Sequence, residues 1–266
     1  MSGEQRLEGL VLKCSPLGES DRLLTLLSGS EGLTRLAVPG ARKPKSSLAA
    51  AVPLAVLALQ VSGSRGLRRV RQLQVRRNFS GLAERLETLA AAQGLAELTL
   101  QLVPSGDAVE GVLEDLLLQL NHLEAVVKER QNNLEALAIA VQGAVHLLAL
   151  GGYALPLAAC ARTGTRLDPP LGDWNWRCSL IPSEGFVIGA LAGAQLVLNA
   201  SELALLQRLL RPALPRRRDG GLMGPPPVWL RLLQLVELWS REHLGRSARS
   251  WRLLRQCYGP AGAPSS

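Results

Sequence analysis

No aromatic residue occurs before Phe79 in this chain of 266 residues, and Phe, Tyr and Trp together make up only 3% of it. The first third therefore lacks the stacking platforms on which many single-strand binders hold nucleobases. Long apolar runs are missing as well. The longest, Leu48 to Leu59, is interrupted by Pro53 and falls short of the roughly 20 residues that cross a bilayer. The start, MSGEQRLEGL, has no cationic segment ahead of an apolar one, so no secretory leader is expected and the cytoplasm is the expected compartment.

Cysteine is sparse. Cys14, Cys160, Cys178 and Cys257 are too far apart to form a disulfide framework. A structural zinc site takes four ligands, usually two Cys-x-x-Cys pairs. Here Thr163 stands three residues after Cys160, Ile181 three after Cys178, and no His lies between them. No metal or cofactor is expected. Cys160 and Cys178 read as small buried thiols, and Cys14 and Cys257 as core. Catalytic signatures are missing too: there is no phosphate-binding Walker loop, dinucleotide fingerprint, His-Glu-x-x-His or nucleophile elbow. His122, His146 and His243 stand apart in helical patterns, and Glu114-Asp115 reads as a solvated helix face. The chain is expected not to be an enzyme.

Acidic residues are scarce in one region, and that reveals what is present. The net charge is +8. Residues 1–80 hold 13 Lys/Arg against 5 Asp/Glu, residues 81–201 hold 6 against 13, and residues 202–266 hold 11 against 4. Two basic ends flank an acidic middle. Such a balance suits a polyanionic partner.

Residues 7–77 read as five short strands bounded by Gly, Pro and Ser. In one of them Leu57, Leu59 and Val61 alternate with Ala58 and Gln60, the period of a strand. Five such strands predict a small barrel of the OB type. After Asn78 the apolar spacing becomes helical, with Ser80 as a candidate N-cap. Further helices are predicted over 108–127, over 132–153 up to the Gly151-Gly152 stop, behind a Ser201 cap, over 228–244 and over 247–258. Residues 156–200 read as irregular. The expected architecture is α+β: an OB-fold nucleic-acid-binding domain over 1–79, then an all-helical domain over 80–266 with an irregular insert near 156–200.

The candidate DNA-binding residues are Arg22, Arg35, Arg42, Lys43, Lys45, Arg65, Arg68, Arg69, Arg71, Arg76 and Arg77. Without stacking residues they are expected to contact phosphate, giving sequence-tolerant and salt-sensitive binding. A second set surrounds the C-terminal tryptophans: Arg208, Arg211, Trp229, Trp239, Arg249 and Arg252. Arginines beside aromatics suit an acidic peptide with an apolar anchor, or nucleic acid. The same tryptophans could instead be core residues of amphipathic helices.

The order of several short motifs resembles the RecO family of bacterial recombination mediators. They are Gly9-x-Val11-Leu12, Gly18-Glu19-x-Asp21, Leu24-Thr25-Leu26, Gly32, Gly40-Ala41-Arg42-Lys43 with Ser46, AAAQGLAELTLQLV, and HLLALGGYALPLAACARTG. The resemblance implies an OB domain, a helical domain and a zinc module. It also implies binding of single- and double-stranded DNA, strand annealing, and partnership with RecR. Contact with the acidic C-terminal tail of single-stranded-DNA-binding protein and indirect help in loading RecA are implied as well, and with them a nucleoid location. This sequence departs from the family at the zinc module. Only the first and third of the four cysteines remain, so the insert is a degenerate zinc module expected to hold by packing around Trp174, Trp176 and Phe186. Two other readings fit the charge: an RNA-binding OB protein of ribosome or tRNA metabolism, and a peripheral membrane protein using residues 228–243. No membrane partner is expected.

Overall fold

The computed structural model describes residues 4–63 and 67–259. Five strands come first: β1 (Glu4–Leu17), β2 (Asp21–Ser28), β3 (Gly32–Val38), β4 (Ala55–Ser62) and β5 (Arg68–Asn78). They close into a barrel in the order β1-β2-β3-β5-β4, with β4 returning to β1. All pairs are antiparallel except β3–β5. This is the OB topology expected. Burial along β4 alternates at every residue, because Leu57, Leu59 and Val61 point inward onto Leu7, Val11, Leu24, Leu26 and Leu36.

A single 3-10 turn (Ser80–Glu84) separates the barrel from α1 (Leu86–Leu102), α2 (Val112–Lys128) and α3 (Leu134–Leu150). Ser80 does not cap α1. The helix begins at Leu86 behind Arg85, and the Ser80 N–H donates to Asn78 Oδ1 instead. Barrel and helices share one core. Leu10, Leu12, Leu27, Leu33 and Leu54 on the outside of the barrel pack in the same cluster as Phe79, Leu82 and the helix interiors. Gly32 permits the closest approach. A Cβ there would lie 2.0 Å from the Asp107 carbonyl oxygen, and φ is +61°.

The segment expected to be irregular contains a three-stranded antiparallel sheet: β6 (Arg177–Ile181), β7 (Gly185–Ile188) and β8 (Leu196–Asn199), in the order β7-β6-β8. The second half of the chain is therefore not all-helical. The sheet leads into α4 (Ala200–Arg208), then α5 (Pro226–Leu244) and α6 (Ser250–Gln256). The cap of α4 is Asn199, not Ser201. The Asn199 side chain accepts from the Glu202 N–H, and Glu202 reaches back to the Asn199 N–H, both at 2.9 Å.

Phe186 is fully buried and Trp176 partly so, but Trp174 is 85% exposed and does not pack the insert. Cys14 and Cys257 are half-buried rather than core. Asp115 is turned from solvent toward His146, while its neighbour Glu114 is exposed.

Candidate nucleic-acid interface

The loop between β3 and β4, residues 39–54, is basic and firmly held. Gly40 N–H donates to Asp21 Oδ1 at 2.8 Å, and Arg42 N–H to the Ser20 carbonyl at 2.9 Å. At the far end, Arg22 Nη1 donates to the carbonyls of Ala49 and Ala51, both at 3.0 Å, and Cys14 Sγ reaches the Ala51 carbonyl at 3.4 Å. Arg22 is thus a structural residue that pins the loop.

Arg42, Lys43 and Lys45 project from this loop into solvent. Among the described residues the Arg42 guanidinium hydrogen-bonds only a neutral acceptor, the Gly18 carbonyl at 3.1 Å. Arg69 joins the group from β5, 3.9 Å from Asp21. Asp21 is the acid at their centre. The Gly40 N–H, then the Ser20 hydroxyl, hold its carboxyl below the usual range, and the charges of Arg69 and Lys43 add to this. Two acids, Asp21 and the exposed Glu19 of the adjoining turn, face the four cations Arg42, Lys43, Lys45 and Arg69, so this end of the barrel stays net positive.

The other expected residues are divided. Arg68 is tied to Glu31 and to Gln5 Oε1 (2.9 Å) and is largely buried. Its hydrogen bond keeps the Glu31 carboxyl low. Arg71 donates to Ser62 Oγ at 2.8 Å, Arg76 lies 3.7 Å from Glu8, and Arg77 pairs with Glu124 at 2.8 Å while stacking on Phe79. These three run down β5, away from Asp21, until Arg77 stands opposite Val56 just past the end of the loop. Arg35 is exposed on β3, with no ion pair among the described residues. Arg65 lies outside the described residues.

The C-terminal set is split as well. Trp229 and Trp239 are buried, and their indole N–H groups are spent on the carbonyls of Met223 and Tyr153. They are packing residues and offer no anchor to a partner. Most of the apolar side of α5 is likewise inside, with Leu232, Leu233, Leu235 and Val236 fully buried, so residues 228–243 have little apolar face left for lipid. No helix among the described residues is long and apolar enough to cross a membrane. Arg208 lines a largely apolar cleft with Leu171, Leu205, Met223 and Val228. Arg249 and Arg252 line a different one with Arg241 and Arg255. Arg211 is exposed in the loop beyond α4.

The degenerate module has a tight turn at Cys160, with Gly164 N–H donating to the Cys160 carbonyl at 2.9 Å, but not a zinc donor set. Cys160 and Cys178 are buried. Burial pushes the Cys160 thiol up, but the Thr163 hydroxyl and the N–H groups of Ile188, Thr163 and Arg162 outweigh it and bring the thiol down to about 7. Cys178 is pushed up to about 12 by burial and by the nearby Cys160. Thr163 and Thr165 share a 2.9 Å hydroxyl contact. Two thiols, a hydroxyl and an isoleucine do not suit tetrahedral zinc, and the described residues contain no cluster of three or more His, Cys, Asp or Glu that could hold a metal ion.

Two features escaped the sequence. One is a polar trough on the wall formed by β1, β4 and β5, where register aligns Arg6 with Gln60 and Gln72, and Glu8 with Ala58 and Gln74. Alternation with Leu7, Leu59 and Leu73 was its signal. The other is Lys13, exposed where the β1–β2 register shifts between Val11 and Lys13.

Together these features define a class: a cationic OB barrel joined through a shared core to a mainly helical body carrying a small thiol-bearing module. The chain belongs to the RecO family. The family descriptions Recombination protein O N terminal and Recombination protein O C terminal match residues 1–79 and 83–252. A Prochlorococcus marinus (strain MIT 9303) protein named DNA repair protein RecO is 64% identical over 264 residues, 98% of each chain. Proteins of that name from Synechococcus sp. (strain WH7803) and Trichodesmium erythraeum (strain IMS101) are 61% and 32% identical, covering 98% and 97%, and 92% and 92%, of the two chains.

Proposed function

We propose that this chain is a non-enzymatic DNA-repair and recombination mediator. It binds single- and double-stranded DNA through the barrel, anneals complementary strands, and helps to load RecA on strands coated with single-stranded-DNA-binding protein. It would work in the nucleoid, with RecR as a partner. The observation that carries this reading is the β3–β4 loop: Arg42, Lys43 and Lys45 stand exposed on a pinned scaffold with little acid nearby. Charge neutralisation by such a loop lets two polyanionic strands approach. With no aromatic in the barrel, binding rests on phosphate and tolerates any sequence.

The acidic, aromatic-ended tail of single-stranded-DNA-binding protein finds its best seat beside Arg208. The cleft there is largely apolar and carries a cation at its side, which supports the peptide role of Arg208; Arg211 lies outside its lining.

The test is strand annealing on protein-coated complementary DNA over a salt series. Acceleration at low salt is expected, fading as salt rises, with loss in the Arg42→Gln/Lys43→Gln/Lys45→Gln variant. No acceleration at any salt would overturn the reading. Preference for structured RNA in competition would favour the RNA-binding alternative.

A further inference from the structure

The two basic ends of the chain, far apart in sequence, meet in one cleft. A cavity of about 580 Å³ opens between barrel and helices, with Lys13, Pro53 and Leu54 on the barrel side and Gln93 and Gln101 of α1 on the other. Arg246, Ser247 and Arg249, between α5 and α6, close its rim. Ser247 and Arg249 also line a second cavity of about 610 Å³, which continues to Arg241, Arg252 and Arg255. The two cavities adjoin at Ser247 and Arg249, and the pair is termed the channel. It starts beside the end of the pinned β3–β4 loop and ends on α6.

The charges in this channel are uneven. Lys13, Arg241, Arg246, Arg249 and Arg252 are exposed, and their side chains have no hydrogen bond or ion pair among the described residues. The two acids on the walls are engaged. Glu97 accepts from the Ser250 N–H at 3.1 Å and from its hydroxyl at 2.9 Å. Glu237 is paired with Arg255. The neighbouring tryptophans Trp239 and Trp251 are buried, so the channel offers no aromatic anchor to a peptide end. Lys13 on the barrel wall and four free arginines on the α5–α6 side suit a repeating anion.

We propose that this interdomain channel is a second phosphate-backbone site, which takes single-stranded nucleic acid continuing past the barrel loop. The inference rests on the DNA-binding reading above. It extends the footprint from the barrel onto the helical body and gives Lys13, Arg246 and Arg249 a shared role.

The experiment uses the full chain and oligothymidine of about 10 and about 30 nucleotides, chosen around the ~4–16 nucleotides that one OB fold covers. Fluorescence anisotropy gives the affinity of each over a salt series. Wild type should show a steeper salt slope on the long strand. In Lys13→Gln/Arg246→Gln/Arg249→Gln the short strand should bind as in wild type. The long-strand slope should fall by about 2, at ~0.7 per single-strand phosphate contact. Arg246→Lys/Arg249→Lys should keep the slope, because a phosphate contact needs only a point charge, and thermal melts should match wild type.

An unchanged long-strand slope in the Gln variant overturns the inference. So does an equal loss on both strands, or loss of an aspartate-rich peptide while the strands bind normally. The two readings fail separately. If wild type binds neither strand, the DNA-binding reading falls. If the loop variant loses the short strand while the channel variant binds both as wild type, only the channel falls.

Discussion

Geometry biases His146 toward its charged form. Its Nδ1 lies 3.4 Å from Asp115 Oδ1 and its Nε2 lies 2.7 Å from the Leu209 carbonyl. A neutral imidazole can donate from only one nitrogen, whereas imidazolium donates from both. The Asp115 hydrogen bond, then the Leu209 carbonyl, raise its pKa above the ordinary value against the effect of burial. A raised folded-state pKa stabilises the fold below the unfolded value, and that stability is lost as pH rises through the folded one. Urea denaturation should therefore show wild-type stability falling, relative to His146→Gln, from about pH 6.5 upward, whereas the depressed Cys160 thiol has the opposite slope in both proteins. The size of the loss follows the pKa difference between the folded and unfolded states. His146→Gln should lack that slope, and a variant with the wild-type slope would place the titration elsewhere. Gly94 is the second critical residue. A Cβ there would lie 2.2 Å from the Trp251 ring, so α6 seats on α1 only because the side chain is absent. Alanine would gain up to ~1 kcal/mol of helix propensity but overpack the contact by about 1–3 kcal/mol. A net loss of melting temperature is expected for Gly94→Ala.

At the scale of elements, period was legible and closure was not. The five strands and the long helices stand where alternation and 3.6-residue spacing put them, because each has one apolar face long enough to show its period. Strands β6 to β8 escaped because they run only four or five residues between glycines and prolines, too short to show a period. Caps escaped for a similar reason. Ser80, Asn199 and Ser201 are all plausible cap residues by type, and only backbone geometry chooses among them. The choice can be tested: Asn199→Ala should cost about 1 kcal/mol of stability by breaking the capping box, while Ser201→Ala, exposed inside the first turn of α4, should stay within about 0.5 kcal/mol. The candidate site was legible as a population of cations but not as a surface. Sequence cannot tell that Glu31 consumes Arg68 or that Ala49 and Ala51 consume Arg22. Nor can it bring Lys13 to Arg249, since that proximity depends on α6 docking against α1 beside the barrel.

At the scale of the whole molecule, the shared core makes barrel and helices one cooperative body. A barrel that stood alone would keep its outer wall polar. Here Leu10, Leu12, Leu27 and Leu33 on that wall are buried against the helical side. The segment after α1 locks on through Leu33 N–H to the Pro104 carbonyl (3.3 Å) and Gly106 N–H to the Leu33 carbonyl (3.1 Å). Gly32 is the pivot of this joint, since any side chain would strike the Asp107 carbonyl and would have to adopt the left-handed backbone already present there, which costs non-glycine residues about 1–2 kcal/mol. Wild type should unfold in one calorimetric transition. Gly32→Ala should lower the melting temperature and raise the binding of an apolar dye before the main transition, as the barrel's leucines become accessible. If the inferred channel takes a strand, the same variant should weaken long-strand binding more than short-strand binding, because the channel needs both walls in register while the β3–β4 loop is built within the barrel. Two resolved transitions in wild type, or a Gly32→Ala protein as stable as wild type, would show instead that the barrel and the helical body hold together independently.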